Sequence, residues 1–237
     1  FAGDERRIAG GAQSLALQIA RPLEGATRLN WPVKRIALTE HGVEIGSREG
    51  RLVARAVVVA LPVNVLAGLE LDVGLEPLAS ENLQAGHPGR AAKGWATAAR
   101  PIYAPGWPDA IEVYSKQGEK SVAVASFNVA NPDHGSALGR SWASVHRRHP
   151  EIGLGSDFLS HDWIKDPFAK GTWLSSGPDQ APGWHQLADR PPPVVFAGGD
   201  LSRRWYGWME GAVTSGGDAA KRILDYLQTG VAGPAAG

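Results

Sequence analysis

The sequence predicts a mixed α/β fold in which a parallel sheet is covered by helices. Two apolar runs, "AVVVALP" at 56–62 and "PVVFAGG" at 193–199, show no alternation of apolar and polar residues. Such runs are typical of strands buried on both faces of a helix-covered parallel sheet. Helical spacing begins at Met209, shortly after the second run. These features predict one α/β layer whose two parts are far apart in the chain.

The first 55 residues predict one helix and three short strands. Behind Gly10 and Gly11, apolar residues recur with the period of a helix. They are Ala12, Leu15, Ala16, Ile19, Ala20 and Leu23. Strands are predicted at 33–38, 43–45 and 52–54, separated by turns that contain glycine. This part should lead directly into the first buried strand.

The last helix is predicted to be amphipathic. Its apolar positions are Ala212, Val213, Gly216, Ala219, Ala220, Ile223, Leu224 and Leu227. Charged residues fall on the opposite side, namely Asp218, Lys221, Arg222 and Asp225. Three small residues, Ala212, Gly216 and Ala219, would let this helix approach the strands closely.

The segment between the two buried runs has a different composition. It contains most of the 17 prolines and six of the nine tryptophans: Trp95, Trp107, Trp142, Trp163, Trp173 and Trp184. Half-buried strands are predicted near 93–99 and 121–127, and a helix from about 136 to 148. We therefore expect 1–65 and 190–230 to form one domain and 66–189 a second domain. Residues 231–237 are expected to be a frayed tail.

Composition excludes several classes of protein. The 24 basic and 24 acidic residues give no net charge, so no overall field favours nucleic acid or a membrane surface. No apolar run approaches the roughly 18 residues of a membrane span. The chain contains no cysteine, which excludes disulfides, thiol catalysis and a cysteinyl link to a cofactor. We expect a cytoplasmic protein without a metal site.

An aromatic cluster lies where the second buried run meets the last helix. It consists of Trp205, Tyr206 and Trp208, next to Met209, the chain's one methionine. Amides at a helix N-terminus lack partners and favour negative charge. A flavin that has accepted a hydride is negative at N1 and O2 of its pyrimidine ring, so this helix start would suit it. Alternatively, the aromatic rings could simply plug the end of the sheet.

The order of motifs resembles the C-terminal half of the flavin-containing amine oxidases, the family of monoamine, polyamine and L-amino-acid oxidases. The resemblance covers about residues 6–227. It rests on six segments in series: "IAGGAQSLALQIA", "WPVKRIALTEHGVEI", "VVVALP", "AAKGWATAARPIY", "HDWIKDPFAKGTW" and "VVFAGGDLSRRWYGWMEGAVTSGGDAAKRIL". It implies part of a two-domain, Rossmann-like FAD-binding fold of the glutathione-reductase type. In that fold, 66–189 would be the inserted substrate domain.

The resemblance assigns five positions to FAD. Val33 would contact the adenine end through its backbone, and Gly199 and Asp200 would lie near the pyrophosphate and ribityl chain. The family more often has glutamate where this chain has Asp200. Met209 would offer its backbone amide to the pyrimidine edge, with Trp208 beside the ring.

The same resemblance assigns three catalytic positions. Lys93 matches a lysine that holds a water against flavin N5, although one more solvated lysine is the alternative. Trp173 and Trp208 match the aromatic sandwich in front of the flavin, where monoamine oxidases have two tyrosines. Thr172 stands where covalently flavinylated members have cysteine, which implies non-covalent FAD.

The implied reaction is oxidation of an amine. A hydride equivalent leaves the carbon next to nitrogen for FAD, dioxygen reoxidises the flavin to give hydrogen peroxide, and water hydrolyses the imine. An L-amino-acid oxidase is an alternative, but it would need a cation for the α-carboxylate. Arg100, Arg147, Arg148, Arg203 and Arg204 are equally compatible with solvated charges. A flavin dehydrogenase that uses another electron carrier is a further alternative.

A dinucleotide-binding fingerprint is missing from the sequence. Such a sheet normally opens with a strand, G-x-G-x-x-G and a helix, and this chain contains no such motif. We therefore expect the first βαβ unit to be absent and an N-terminal half or partner chain to supply it. The remaining alternative is a non-catalytic, incomplete fragment.

Overall fold

The computed structural model describes residues 8, 10–89, 92–98, 110–115, 122–128, 147, 150–152 and 154–230. Its helices are α1 Ala12–Ala20, α2 Val63–Leu66, α3 Pro77–Ala85, α4 Ala181–Asp189 and α5 Met209–Thr229. Its strands are β1 Val33–Thr39, β2 Gly42–Ser47, β3 Gly50–Ala54, β4 Val57–Val59, β5 Glu70–Asp72, β6 Ala92–Ala98, β7 Ala110–Ser115, β8 Val122–Asn128, β9 Leu154–His161 and β10 Val194–Phe196. Short 3-10 turns cover Arg21–Ala26, Pro150–Ile152 and Gly199–Leu201. The protein is therefore a mixed α/β structure, as the sequence predicts.

The first sheet is formed by the strands predicted near the N-terminus. Its order is β3-β2-β1-β5, with antiparallel pairing in the β1–β2–β3 meander and parallel pairing of β1 with β5. Arg35 of β1 joins three strands, because its guanidinium contacts Glu44 on β2 and both Glu70 and Asp72 on β5. The three predicted strands are confirmed to within a few residues.

The two Val-rich runs pair with each other in parallel, in the register Val194↔Val57 to Phe196↔Val59. All three residues of β10 are buried, as predicted. For β4 the prediction of burial on both faces was wrong, because Val58 is 39% exposed. Its ladder partner Val195 is fully buried, covered with Ala197 by Ala219 and Ile223 of α5. The helix therefore covers β10 but leaves the same face of β4 partly open.

The third sheet is antiparallel and lies within the segment predicted as an insertion. Its strand order is β7-β8-β6-β9. The strands predicted near 93–99 and 121–127 correspond to β6 and β8. Of the helix predicted at 136–148, all but residue 147 lies outside the described residues, as does the predicted tail at 231–237.

One large hydrophobic cluster connects β10 with the first sheet and with residues near both ends of the predicted insertion. Its buried members are Ile36, Val43, Val59, Val63, Leu66, Val73, Ala79, Leu83, Leu174, Trp184, Leu187, Val194, Phe196 and Leu201. The cluster includes residues from both sides of the domain boundary placed after residue 65. The division into two domains stays a prediction.

The terminal helices form as predicted but bury less than their patterns suggest. No residue of α1 is buried, and on α5 both Val213 and Leu224 are more than half exposed. None of the described helices combines the length and apolarity needed to cross a bilayer.

Arg222 is predicted on the charged side of the last helix, opposite its apolar positions, but the structure buries it. It is 8% exposed, and its guanidinium donates hydrogen bonds to the carbonyl oxygens of Ala188, Asp189 and Arg190. These carbonyls lie at the C-terminal end of α4, where acceptors lack intrahelical partners and cations are favoured. Arg222 therefore joins the last helix to α4.

Candidate active site

The loop between β10 and α5 folds back onto Gly199. The carbonyl oxygen of Gly199 accepts a hydrogen bond from the amide of Gly207 at 2.9 Å. A Cβ on Gly199 would lie 3.0 Å from the carbonyl oxygen of Trp208, which is closer than ordinary van der Waals contact. The absence of a side chain at Gly199 thus lets the start of α5 lie against the end of the sheet.

The loop reaches the helix through two residues with left-handed backbone. Trp205 has φ +56° and Gly207 has φ +75°. The amide of Trp208 donates to the carbonyl oxygen of Trp205 at 3.0 Å, and a Cβ on Gly211 would collide with that same oxygen. This tight turn makes Trp208 the N-cap residue and Met209 the first residue of α5.

The start of α5 presents uncapped amides and exposed side chains. No side chain caps the helix N-terminus, and Trp208 and Met209 are 70% and 52% exposed. Trp208 therefore does not belong to the hydrophobic core of the described chain, which counts against the plug interpretation. An uncapped helix start is electropositive and suits an electron-rich group.

Leu174 connects the segment that carries Trp173 to this loop. Its amide donates to Oδ1 of Asp200 at 2.9 Å, and its carbonyl oxygen accepts from the hydroxyl of Tyr206 at 3.0 Å. A Cβ on Gly207 would lie 3.7 Å from Cβ of Trp173. The structure thus places Trp173, which is 48% exposed, beside the residue that precedes Trp208.

Asp200 has a structural contact that the sequence did not indicate. It lies in the 3-10 turn Gly199–Leu201, and one of its carboxylate oxygens holds the amide of buried Leu174. Gly199, Asp200, Trp173, Trp208 and Met209 therefore belong to one connected region at the end of β10.

Val33 and Lys93 lie on other elements. Val33 is the first residue of β1 and packs, partly buried, against the large hydrophobic cluster. Lys93 lies on β6, where its backbone is paired with Phe127 of β8 and His161 of β9. The side chain of Lys93 lies outside the described part of the chain, so its role stays a prediction.

Thr172 has a buried hydroxyl without a hydrogen-bond partner among the described residues. Its backbone amide donates to the carbonyl oxygen of Gly89 at 3.0 Å. A buried hydroxyl without a partner is costly, since the lost hydration of a polar group is typically about 1–3 kcal/mol. Thr172 Oγ1 is therefore an unsatisfied polar atom next to Trp173 in the described part of the chain.

Two polar side chains near this region were missed by sequence reasoning. His87 is 6% exposed, and its Nδ1 accepts from the amide of Gly89 at 3.0 Å. Burial lowers the pKa of His87 below its usual value, against the opposing field of Asp200. Asn64 accepts from the amide of His87 and donates to the carbonyl oxygens of His87 and Lys170. A single histidine and a single asparagine carry no periodic signal, so the sequence could not identify them.

Several known proteins resemble this chain in sequence or in fold. The chain is 28% identical to pseudooxynicotine dehydrogenase of Pseudomonas sp. over 94% of its own length and 47% of that protein. Putrescine oxidase bound to putrescine superposes with a TM-score of 0.75 at 19% identity, over 91% of this chain and 53% of that one. Cyclohexylamine oxidase from Brevibacterium oxydans superposes with a TM-score of 0.71 at 24% identity, over 92% of this chain and 53% of that one.

The chain spans about half the length of these proteins. Its residues 1–224 match the sequence pattern of the flavin-containing amine oxidoreductases. That match covers far more than half of the chain, and the fold and the motif order agree with it. The chain belongs to the family of flavin-containing amine oxidoreductases.

Proposed function

We propose that this chain forms the C-terminal half of an amine oxidoreductase with non-covalently bound FAD. The observation that carries the proposal is the position of Trp173 beside the uncapped, exposed start of α5. An electropositive helix end and two tryptophans thus converge at the carboxyl end of β10. This combination suits a flavin ring with an amine in front of it.

The residues at this place fit a flavin. The uncapped amides at Met209 and Glu210 suit negative charge on the pyrimidine edge of the ring. The unpartnered hydroxyl of Thr172 would gain a polar neighbour. The chain has no cysteine, and Thr172 occupies the position of the flavin-linking cysteine, so this chain would hold the cofactor without a thioether bond.

Trp173 and Trp208 would form the walls of the substrate slot. Two indole faces exclude water and disfavour the ammonium form of the substrate, so the amine would react as the neutral base. A cation–π contact of about 0.5–2 kcal/mol would guide a cationic amine toward the slot, and the amine would lose its proton before it reacts. When bound, FAD would accept the hydride equivalent from the carbon next to nitrogen and pass the electrons to dioxygen or another acceptor.

The remaining assignments of the resemblance belong to the same proposal. Val33 would contact the adenine end, Gly199 and Asp200 the pyrophosphate and ribityl chain, and Lys93 would act through a water near the ring. Residues 1–65 and 190–230 would belong to the FAD-binding domain, and 66–189 to the substrate domain. The phosphate-binding βαβ unit would come from an N-terminal half or a partner chain.

An α-amino acid is a less favoured substrate. It would require a cation to pair with its carboxylate. Of the arginines considered, Arg203 already forms an ion pair with Asp189, and Arg147 and Arg204 are exposed. None of these three arginines therefore stands out as the carboxylate partner.

The proposal is tested with the purified complete protein. We expect a flavin absorption spectrum, release of intact FAD on denaturation, and anaerobic bleaching by members of a panel of primary and secondary amines. Admission of dioxygen should restore the colour with production of peroxide if the enzyme is an oxidase. A protein that binds no flavin, or whose flavin is reduced by none of the amines, would contradict the proposal.

A further inference from the structure

Two side chains from distant parts of the sequence, Asn64 and His87, contact the backbone of the segment that carries Thr172 and Trp173. His87 lies between α3 and β6, and Asn64 lies on α2. Asn64 contacts the carbonyl oxygen of Lys170 at 3.0 Å, and His87 Nδ1 lies 3.5 Å from the amide of Ser175. These two contacts lie at the two ends of the segment 170–175.

The ring of His87 has a defined protonation state in this arrangement. Its Nδ1 faces the amide of Gly89 at 3.0 Å and, at longer range, the amide of Ser175. Both groups are donors, so Nδ1 must be the unprotonated nitrogen and the neutral ring carries its proton on Nε2.

The backbone of Gly89 lies in contact with both the His87 ring and the backbone of Thr172 and Trp173. A Cβ on Gly89 would collide with the carbonyl oxygen of Trp173 and lie 2.6 Å from Nδ1 of His87. The carbonyl oxygen of Gly89 accepts from the amide of Thr172 at 3.0 Å. The backbone of Gly89 is therefore held between the imidazole and the segment that carries the tryptophan.

We propose that His87, whose backbone amide and carbonyl are both bound by Asn64, is a positioning residue that fixes the backbone of 172–175 and thereby the indole of Trp173. It does so as a neutral imidazole that accepts hydrogen bonds at Nδ1. We call this arrangement of His87, Asn64 and Gly89 around the segment 170–175 the clamp. The consequence for amine binding rests on the proposed function, whereas the clamp itself depends only on contacts within this chain.

The charged groups around His87 define how the clamp responds to acid. Asp200 acts on the ring from the turn after β10 and favours its protonation, whereas burial opposes it and dominates. Lys170 belongs to the clamped segment, but its ammonium lies beside Gly68. Protonation would place a hydrogen on Nδ1 opposite two N–H donors. The clamp should therefore open when His87 becomes cationic.

The experiment compares two substitutions in the complete protein. His87→Asn can keep an acceptor near the position of Nδ1, whereas His87→Leu removes it at similar volume. We expect His87→Leu to speed amide hydrogen exchange in a peptide covering 172–176 by at least 10-fold, and His87→Asn to remain within about 3-fold of the wild type. His41→Leu, at an exposed histidine in the β1–β2 turn, is the control and should leave this peptide unchanged.

Amine kinetics give the second measurement. We expect His87→Leu to raise KM for the amine at least 5-fold with a smaller change in kcat, because the slot is misplaced while the flavin remains. Faster exchange with an unchanged KM would support the clamp and contradict the aromatic slot. Unchanged exchange in His87→Leu, or equal exchange in both His87 variants, would overturn the clamp whatever the turnover.

The wild-type protein provides a test that does not depend on the variants folding. Imidazole nitrogen chemical shifts distinguish the two neutral tautomers, and the ring of His87 is identified by its coupling to the Gly89 amide. A proton on Nε2 at neutral pH is expected. A proton on Nδ1 would overturn the proposal.

Discussion

The hydroxyl of Tyr206 donates to the carbonyl oxygen of Leu174 at 3.0 Å and thereby joins the two segments that carry Trp208 and Trp173. Leu174 itself is 1% exposed and belongs to the large hydrophobic cluster. The bond anchors the exposed aromatic loop to a residue that the core holds in place. The relative position of the two tryptophans depends on this contact and on the one between Leu174 and Asp200.

Tyr206→Phe should loosen this connection without removing the ring. The change removes the bond to Leu174 and a second, longer contact between the hydroxyl and Ser176 Oγ at 3.3 Å. Each lost hydrogen bond is expected to reduce the free energy of unfolding by about 0.5–1.5 kcal/mol. It should also raise KM for the amine more than it lowers kcat. Urea unfolding and steady-state kinetics of the complete protein check both effects. Tyr226→Phe on the last helix is the control, and equal effects of the two changes would show that the Tyr206 bond has no special role.

Removal of either slot wall should lower turnover strongly. We expect Trp208→Ala to reduce kcat/KM for the amine by about 10- to 1000-fold, since lost orientation, desolvation and π contact correspond to about 1.4–4 kcal/mol. Trp173→Ala should act similarly. The double change should cost less than the sum, because one wall contributes little alone.

The plug interpretation predicts a different result for the same variant. A tryptophan removed from a core typically costs about 3–5 kcal/mol of stability while the folded fraction keeps normal turnover. Melting temperature and turnover per bound flavin, measured together on Trp208→Ala, separate the two. Because Trp208 is 70% exposed in this chain, we expect the loss to appear in turnover.

Lys93→Met should affect the flavin half-reactions more than amine binding. A cation that acts through a water near the ring matters when charge moves onto or off the flavin. Stopped-flow measurement of reduction and reoxidation is expected to show one or both rates lowered, with little change in the apparent amine Kd. If both rates match the wild type, Lys93 does not belong to the site.

Gly211→Ala should displace the start of α5. The new Cβ would collide with the carbonyl oxygen of Trp205, so the loop or the first turn of the helix must move. We expect weaker FAD binding, measured by equilibrium release of the flavin, and a lower melting temperature. Gly216→Ala in the same helix is the matched control, since a Cβ there meets nothing within 4 Å.

The two glycine variants should change the stability of the protein in opposite directions, or only Gly211→Ala should change it. Alanine in an open helical position is favoured over glycine by about 0.5–1 kcal/mol, so Gly216→Ala should be neutral or stabilising. Equal loss of flavin affinity in both variants would contradict a specific role for Gly211.

Acid should destabilise the fold partly through His87. Burial lowers its pKa in the folded protein below the ordinary value of 6.5, so the unfolded chain binds the proton first as pH falls. This contribution to stability is complete above pH 6.5 and is lost progressively as pH falls toward the folded pKa. Urea unfolding between pH 8 and pH 5 should show that the free energy of unfolding falls less with decreasing pH in His87→Asn than in the wild type. If the free energy of unfolding depends on pH in the same way in both proteins, His87 is not the source of the acid sensitivity. His41→Asn is the control.

The sequence by itself determined the local elements and the order of motifs. The Val-rich runs identified β4 and β10, and the helical period that begins at Met209 identified α5 and placed Trp208 at its start. These features depend on neighbours within a few residues, so periodicity and residue type are enough to reveal them. Resemblance of six such segments in series then indicated the family.

The tertiary structure decided which side chains meet. Arg222 has the spacing of a solvated charge, yet the folded chain places it over the carbonyl end of α4. Val58 has the character of a buried strand residue, yet it is 39% exposed, whereas its neighbour Val195 is buried against Ala219 and Ile223 of α5. His87 meets Ser175 across 88 positions, and Asn64 meets Lys170 across 106. Such contacts depend on the path of the whole chain and on where water is excluded, and no local spacing encodes either.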